Sequence, residues 1–186
     1  MRKKALFISI IVGTVFAMTS CNKNYQKMTT EFVRNLPDTC ELLVQVDNDA
    51  EHLVYYKSQR KDAFYCYNAE LDNKETINVP EGDNGGNADF IGAGEKNILV
   101  GYNIEGQGDP MIAMASIQLY DLKTRSFRSF ILCNDIYVNP GTKDITCIGY
   151  ETDRYGTGTK KEETYDFDGK LLKSKEVEVS DFEEVN

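Results

Sequence analysis

The sequence predicts an all-β domain of antiparallel strands, about twelve of them arranged in three four-stranded units. From residue 40 onward, short runs of β-branched and aromatic residues alternate with clusters of Asn, Asp, Gly and Pro. No long segment shows the apolar period of 3.6 residues that is typical of an amphipathic helix. We therefore expect one β domain over residues 40–180, followed by a C-terminal tail at 181–186.

Each strand is predicted from a run of four to nine residues that ends at a turn signal. The predicted strands, in chain order, are Glu41–Val46, His52–Lys57, Ala63–Ala69, Glu75–Val79, Ala88–Ile91, Ile98–Ile104, Ile112–Tyr120, Ser126–Leu132, Asp135–Val138, Asp144–Tyr150, Glu162–Phe167 and Leu171–Val179. The turn signals contain Gly, Asn or Asp, which tolerate a positive φ, or Pro, whose φ is fixed. Asp168-Gly169 predicts a two-residue hairpin turn of the primed type.

Two series of tyrosines suggest an internal repeat. Tyr67, Tyr120 and Tyr165 each end a predicted strand and enter a turn, at spacings of 53 and 45 residues. The second series comprises Tyr56, Tyr102 and Tyr150. Four-stranded units with a period of 40 to 50 residues are typical of β-propeller blades.

On these strands and tyrosine-containing turns, residues 40–180 resemble the propeller-like lipoproteins of Bacteroides-type bacteria. Propellers typically have four to eight blades, and three units do not close such a ring. The alternatives are pairing with a second copy, an open stack of units or a divergent propeller fragment, or a meander within a β-sandwich or barrel.

The N-terminus has the pattern of a secretory signal. Arg2, Lys3 and Lys4 precede the uncharged segment Ala5–Ala17. As a helix, this segment would be roughly 20 Å long, against the roughly 30 Å of a bilayer's hydrocarbon core. We expect residues 1–20 to be a cleaved signal peptide and not a permanent transmembrane helix.

Met18-Thr19-Ser20-Cys21 resembles the lipobox of bacterial lipoproteins. The resemblance implies cleavage before Cys21 and attachment of acyl chains, such as palmitate, to this cysteine. Two or more chains hold a protein stably on a membrane because each buried CH₂ contributes about 0.8 kcal/mol. The alternative is an ordinary cleaved signal with a cysteine nearby by chance.

The residues after the cysteine bear on the location and on the link to the β domain. The first acidic residue is Glu31, whereas surface-displayed lipoproteins of the Bacteroides group carry acidic residues just after the cysteine. This comparison favours the periplasmic side of the outer membrane. Residues 21–39 are expected to be the lipidated cysteine and a tether, in which Met28, Phe32 and Leu36 predict a short helix that ends at Pro37.

Charge excludes one class of partner. Without the three basic residues of the signal, 18 of the 21 Lys and Arg remain against 30 acidic residues, a net charge of −12. Affinity for nucleic acid depends on clustered Lys and Arg, so we do not expect a nucleic-acid partner. The acidic excess also disfavours adsorption to anionic lipid, so the acyl chains would have to provide the attachment.

Four cysteines remain besides Cys21, and they are Cys40, Cys66, Cys133 and Cys147. An even number in an exported protein permits disulfides, with three possible connectivities. The alternative is buried free thiols that pack as small hydrophobic residues, because each cysteine lies in an apolar, strand-like stretch.

The sequence offers little for catalysis. Its single histidine, His52, begins a predicted strand and is expected to face solvent, and no nucleophile with a general base is apparent. The Asp- and Asn-rich segments 47–49 and 83–87 lack the spacing of an EF-hand, and the glycines match no phosphate-binding motif. The sequence therefore predicts no cofactor, no metal site and a protein that is not an enzyme.

Longer connections in the second and third units indicate where a partner could bind. Residues 105–110 and 153–159 add length that, in a repeat fold, projects from one face. We take Tyr102, Tyr150, Arg154 and Tyr155 as candidate binding residues, since Tyr and Arg are common at binding hot spots. The predicted function is a membrane-anchored, non-enzymatic interaction or structural module that forms a homodimer or binds another envelope protein. The alternative is a carbohydrate- or peptide-binding accessory lipoprotein.

Overall fold

The structure is a computed structural model, and it describes residues 24–82, 88–102, 115–152 and 158–179. Residues 24–34 are helical. The strands are β1 Glu41–Asp47, β2 His52–Lys57, β3 Ala63–Asn68, β4 Asn73–Asn78, β5 Ala88–Ala93, β6 Asn97–Tyr102, β7 Ala115–Asp121, β8 Ser126–Cys133, β9 Asp135–Asn139, β10 Asp144–Thr152, β11 Gly158–Asp166 and β12 Leu171–Val179. All twelve predicted strands are present, and the clearest difference in bounds is that β11 begins at Gly158 instead of Glu162.

The strands form three four-stranded sheets, each built from consecutive strands. The first sheet contains β1 to β4, the second β5 to β8 and the third β9 to β12, and in each sheet neighbours in sequence are neighbours in space. The predicted fold class, antiparallel all-β with three four-stranded units, is confirmed. Within the described residues, the chain divides into a first unit up to Arg60 with Phe64–Ile77, and a second unit of Lys61–Ala63 with the chain from Asn78 onward.

The first tyrosine series marks equivalent positions in the three sheets. Tyr67 lies opposite Val54, Tyr120 opposite Ile98 and Tyr165 opposite Ile145, in each case on the third strand of its sheet facing the second. The second series does not mark equivalent positions. Tyr56, Tyr102 and Tyr150 lie on the same strands as Val54, Ile98 and Ile145, but the number of residues between the tyrosine and that partner residue differs from strand to strand.

The residue after each tyrosine of the first series closes the following turn. Asn68 Oδ1 accepts from the N–H groups of residues 70 and 71 at 2.9 and 3.2 Å, and Asp121 Oδ1 accepts from those of residues 123 and 124 at 2.9 and 2.8 Å. Asp166 Oδ1 accepts from those of residues 168 and 170 at 3.0 and 2.8 Å. The repeat is thus a tyrosine that packs in the sheet followed by an Asx side chain that orders the turn. The N–H groups around Asp121 hold its pKa below the ordinary value of a carboxyl group.

The predicted primed turn at Asp168-Gly169 is wrong. Gly169 has φ of +82°, but Asp168 is not among the residues with positive φ, and both central residues of a type I′ turn require it. The Gly169 N–H donates to Asp166 O at 3.0 Å, and the Asp166 N–H donates to Lys170 O at 3.0 Å. This pattern is a three-residue connection in which a type I turn is followed by a left-handed glycine.

In the first unit, the helix packs on the first sheet. Its apolar side chains contact a buried group formed by Val54, Tyr56, Tyr67 and Ala69. The ring of Phe32 stacks on that of Tyr67, with centroids 4.0 Å apart and planes 7° apart. The predicted short helix is present, but from residue 24 on, the segment expected to be a tether lies against the sheet.

In the second unit, the turn between β11 and β12 joins the third sheet to the second. Phe167 is 4% exposed and belongs to a core that includes Leu119 and Ile145. The Asp168 carboxylate accepts from the N–H groups of Glu95 and Lys96, at 3.1 and 2.7 Å, in the turn before β6. These contacts hold the third sheet against the second at the turn between β11 and β12. A cavity lies where β8 of the second sheet meets β10 and β11 of the third.

Candidate functional site

A cavity of about 370 Å³ lies in the second unit, where the end of β8 meets β10 and β11. This volume is within the range of small-ligand sites. The cavity is lined by Phe130, Ile131, Leu132, Cys133, Asn134, Cys147, Gly149, Tyr150, Lys161, Glu163 and Tyr165. The antiparallel register explains part of this set, since Cys147 lies opposite Glu163 and Gly149 lies opposite Lys161.

Two thiols lie side by side in the cavity wall. Cys133 and Cys147 are 7% and 5% exposed, and both belong to one core cluster. The Cys133 thiol also donates to Asp135 O at 3.1 Å. The hydrogen bond from Cys147 lowers the pKa of Cys133, and the same bond, with burial, raises the pKa of Cys147 far above the ordinary value of a thiol.

A polar group lies next to the thiols. Glu163 accepts a hydrogen bond from the Tyr165 hydroxyl at 2.9 Å and pairs with the Lys161 ammonium at 2.9 Å. The bond from Lys161, followed by that from Tyr165, lowers the pKa of Glu163, while burial and the Glu163 carboxylate raise the pKa of Tyr165 to about 12. At neutral pH the wall therefore presents a carboxylate, an ammonium group and a neutral phenol to a ligand.

Gly149 leaves room in the cavity. A Cβ added at this position would meet no atom within 4 Å. The next residue, Tyr150, is 39% exposed, and its N–H donates to Asn134 Oδ1 at 3.0 Å. The cavity thus combines an accessible aromatic ring, an ion pair and two thiols.

The structure places the predicted binding residues differently from one another. Tyr150 lines the cavity, but Tyr102 is only 2% exposed and its hydroxyl donates to Pro80 O at 2.7 Å, so it is a core residue. Arg154 and Tyr155 lie outside the described residues, as do Cys21 and the whole connection at 105–110.

The prediction that His52 faces solvent is wrong. His52 is 0% exposed, and its Nδ1 lies 2.5 Å from Asp47 Oδ1. Asp47 and His52 are opposite each other at the end of the β1–β2 hairpin, and the ring of Tyr25 lies 5.5 Å from the His52 ring. The imidazole closes the hairpin beneath the helix.

The segment 47–49 behaves as a turn. Asn48 Oδ1 accepts from the N–H groups of Ala50 and Glu51 at 2.9 and 3.0 Å, so this oxygen is already occupied. Within the described ranges, no group of three or more His, Cys, Asp or Glu side chains is arranged to hold a metal ion. In the same ranges, no helix is both long and apolar enough to cross a membrane.

Neither the known protein families nor the curated proteins include a match to this chain. Two solved structures are similar to it. One is the β-propeller domain of the Trilobed protease from Pyrococcus furiosus, described as having an open velcro topology, with 16% identity and a TM-score of 0.35. The other is an acylaminoacyl peptidase in complex with Z-Gly-Gly-Phe-chloromethyl ketone, with 13% identity and a TM-score of 0.34. The similarity covers 67% and 74% of this chain but 39% and 25% of those chains.

The prediction that the protein is not an enzyme is corrected by this comparison. Both similar chains come from peptidases, and in the first a β-propeller is one domain of a protease. The lack of a nucleophile with a general base in the sequence does not establish the class of the protein.

The thiol pair was missed because the sequence places its members 14 residues apart in two different sheets. The sequence showed only that the number of cysteines is even and that Cys133 and Cys147 are the closest two along the chain. These facts did not determine which cysteines pair. Glu163 and Tyr165 were missed because alternation along β11 does not show which face meets a cavity.

Proposed function

We propose that this protein is a lipid-anchored interaction module of the bacterial cell envelope that binds another envelope protein along the edge of its third sheet. The observation that carries the proposal is strand β12. Every residue from 171 to 178 is exposed, and among the described residues this strand pairs only with β11.

An open edge of this length can accept a further strand. The backbone N–H and C=O groups along an edge are a template for pairing with an extended segment of another chain. The side chains add apolar area, since Leu171, Leu172 and Val177 are 48%, 53% and 40% exposed. Main-chain hydrogen bonds would provide affinity, and these side chains specificity.

The charges of β12 favour a different protein over a second copy. If two copies pair through β12, the two β12 strands run antiparallel and are related by a two-fold axis perpendicular to the sheet. Each residue of one β12 then lies opposite a residue of the other β12 that has the same number or a number differing by an even amount. Pairing centred on Ser174 places Lys173 opposite Lys175, and pairing centred on Lys175 or Glu176 places that residue opposite itself. Like charges directly opposite each other destabilise a strand pair. The homodimer predicted from sequence is therefore the weaker form of this proposal.

The anchor determines where such binding would occur. Lipid on Cys21 would be separated by only a few residues from the helix at 24–34, which packs on the first sheet. The module would then lie near the bilayer instead of at the end of a long tether. The lack of acidic residues before Glu31 favours the periplasmic side of the outer membrane.

The anchor is tested by growing cells with a clickable palmitate analogue. We expect the wild-type protein to be labelled and Cys21→Ala to lose the label completely, because Cys21 would be the acylated residue. Cys40→Ala is the matched control and should remain labelled. Equal labelling of the wild type and Cys21→Ala would refute lipidation at this position.

The edge is tested by a photo-crosslinking residue at Val177, with Leu71, 68% exposed on a turn of the first sheet, as the control position. We expect an adduct with one protein, identified by mass spectrometry, only from position 177. Lys173→Glu with Lys175→Glu reverses two charges of β12 and should reduce the yield of the adduct about tenfold, because we expect the partner's side chains to complement the wild-type charges. Equal adducts from both positions would contradict the proposal, and an adduct of twice the chain's mass would replace the foreign partner with a second copy.

A small ligand in the cavity is a second candidate function, favoured by the accessible ring of Tyr150 beside the Lys161–Glu163 pair. A broad sugar-stacking face is not supported, because most tyrosines of the predicted series are core residues. The buried tyrosines are Tyr55, Tyr56, Tyr67, Tyr102 and Tyr120.

A further inference from the structure

We infer that Cys133 and Cys147 are a thiol–disulfide exchange site, which takes oxidising equivalents from a low-mass or protein disulfide and closes into a bond between β8 and β10. This goes beyond the proposed interaction function, and it connects with that proposal only because export would expose the thiols to an oxidising compartment.

The backbone holds the two cysteines next to each other. The N–H of Asn134, the residue after Cys133, donates to the carbonyl oxygen of Ile148, the residue after Cys147, at 2.9 Å. The Asn134 side chain also accepts from the Tyr150 N–H. The two bonds fix the end of β8 against β10, and both cysteines line the same cavity and belong to the same core cluster. The two cysteines therefore lie close to each other where the end of β8 contacts β10.

The other two cysteines are arranged differently. Cys66 lies in β3 opposite Tyr55, and Cys40 lies just before β1, where its N–H donates to Pro37 O at 2.8 Å. Both lie in the first unit, near Tyr56. The structure therefore favours a bond between Cys133 and Cys147 over a bond from either of them to Cys40 or Cys66, which lie in the other unit.

The two thiols have different roles. Both thiols line the cavity from which a disulfide would approach them. The hydrogen bond from Cys147 stabilises a thiolate at Cys133 and lowers its pKa, which favours Cys133 as the sulfur that attacks first.

The exchange is balanced. The Cys133 thiolate attacks one sulfur of the disulfide R–S–S–R, forms a Cys133–S–S–R bond and releases RS⁻. Cys147 then loses its proton and attacks the Cys133 sulfur, which forms the Cys133–Cys147 bond and releases the second RS⁻. The two protein thiols lose two protons and two electrons in total, and one disulfide becomes two thiols.

The test uses the purified full chain, incubated with oxidised glutathione or with excess reduced dithiol, then alkylated and digested with trypsin. Cleavage after Arg128, Lys143 and Arg154 places Cys133 in peptide 129–143 and Cys147 in peptide 144–154. We expect oxidation to remove two alkylation sites and to yield these peptides joined, lighter by two hydrogen atoms than their sum. Peptides 35–57 and 62–74, which carry Cys40 and Cys66, should not be joined to either of these peptides.

The variants separate this pairing from general oxidation. Cys147→Ser should stop at a mixed disulfide of Cys133 with glutathione, and Cys40→Ser with Cys66→Ser should leave the joined peptides unchanged. Full alkylation of Cys133 and Cys147 after oxidation, or a peptide that joins either of them to Cys40 or Cys66, would overturn the inference. Because the readout is taken on purified protein, it does not depend on Cys21 lipidation or on the β12 partner.

Discussion

Replacing Phe167 by alanine is expected to lower the free energy of unfolding by roughly 3–5 kcal/mol, a large part of the ~5–15 kcal/mol that stabilises a typical domain. Phe167 is 4% exposed at the turn between β11 and β12, and its ring fills the space between the third and second sheets. Truncation leaves a cavity that the two sheets cannot close. Chemical denaturation, followed by circular dichroism, measures the loss.

The matched control is Leu172→Ala, a few residues further along the same hairpin. Leu172 is 53% exposed, so its truncation should change stability by less than about 0.5 kcal/mol. A double-mutant cycle adds a test of the contact itself, because a Cβ at Gly92 would lie 2.5 Å from the Phe167 ring. Gly92→Ala should lower the free energy of unfolding of the wild type, and it should lower that of Phe167→Ala by much less. Equal costs in the two backgrounds would show that the ring does not occupy this position.

Replacing Phe32 by alanine is expected to release the helix from the first sheet and to lower the free energy of unfolding by roughly 2–4 kcal/mol. The Phe32 ring stacks on Tyr67, lies 5.5 Å from the ring of Tyr56 and is 5.2 Å below the Lys74 ammonium. A helix of this length is marginal in isolation, so its stability depends on docking. Hydrogen exchange of the amides at 24–34 should therefore accelerate more than that of β6 and β7.

Lys27→Ala is the control for the helix. Lys27 is 72% exposed and forms a surface pair with Glu31 at 3.7 Å, which contributes little. This change should leave both exchange and stability nearly unaffected. If the amides at 24–34 exchange as slowly in Phe32→Ala as in the wild type, the helix does not depend on the aromatic stack.

Local signals predicted the strands well. β2 and β12 have the bounds predicted from the sequence, because in each case a run of strand-forming residues follows a turn cluster. The Tyr67, Tyr120 and Tyr165 series identified equivalent positions because the Asx residue that follows each tyrosine orders a turn through local hydrogen bonds. The second tyrosine series failed because similar spacing along the chain does not determine cross-strand register, which depends on the whole hairpin.

Predictions that depend on which face of a strand is covered were less successful. His52 was expected in solvent, and its burial comes from the helix lying over the β1–β2 hairpin. Tyr102 was expected at a binding face, and its hydroxyl instead bonds to the backbone at Pro80. Both errors have one cause, since alternation along a strand separates two faces but does not identify the face that another element covers.

The sequence by itself determined the antiparallel all-β class, the twelve strands and their division into three four-stranded units, because these depend on contacts between residues close along the chain. Only the tertiary structure decided which cysteines meet, which tyrosines are buried and where a cavity lies. Cys133 and Cys147 become neighbours through the packing of β8 against β10, and the helix becomes part of the fold through Phe32 and Tyr67. These contacts join residues far apart in sequence or in different sheets, and their geometry depends on how complete sheets and helices pack together.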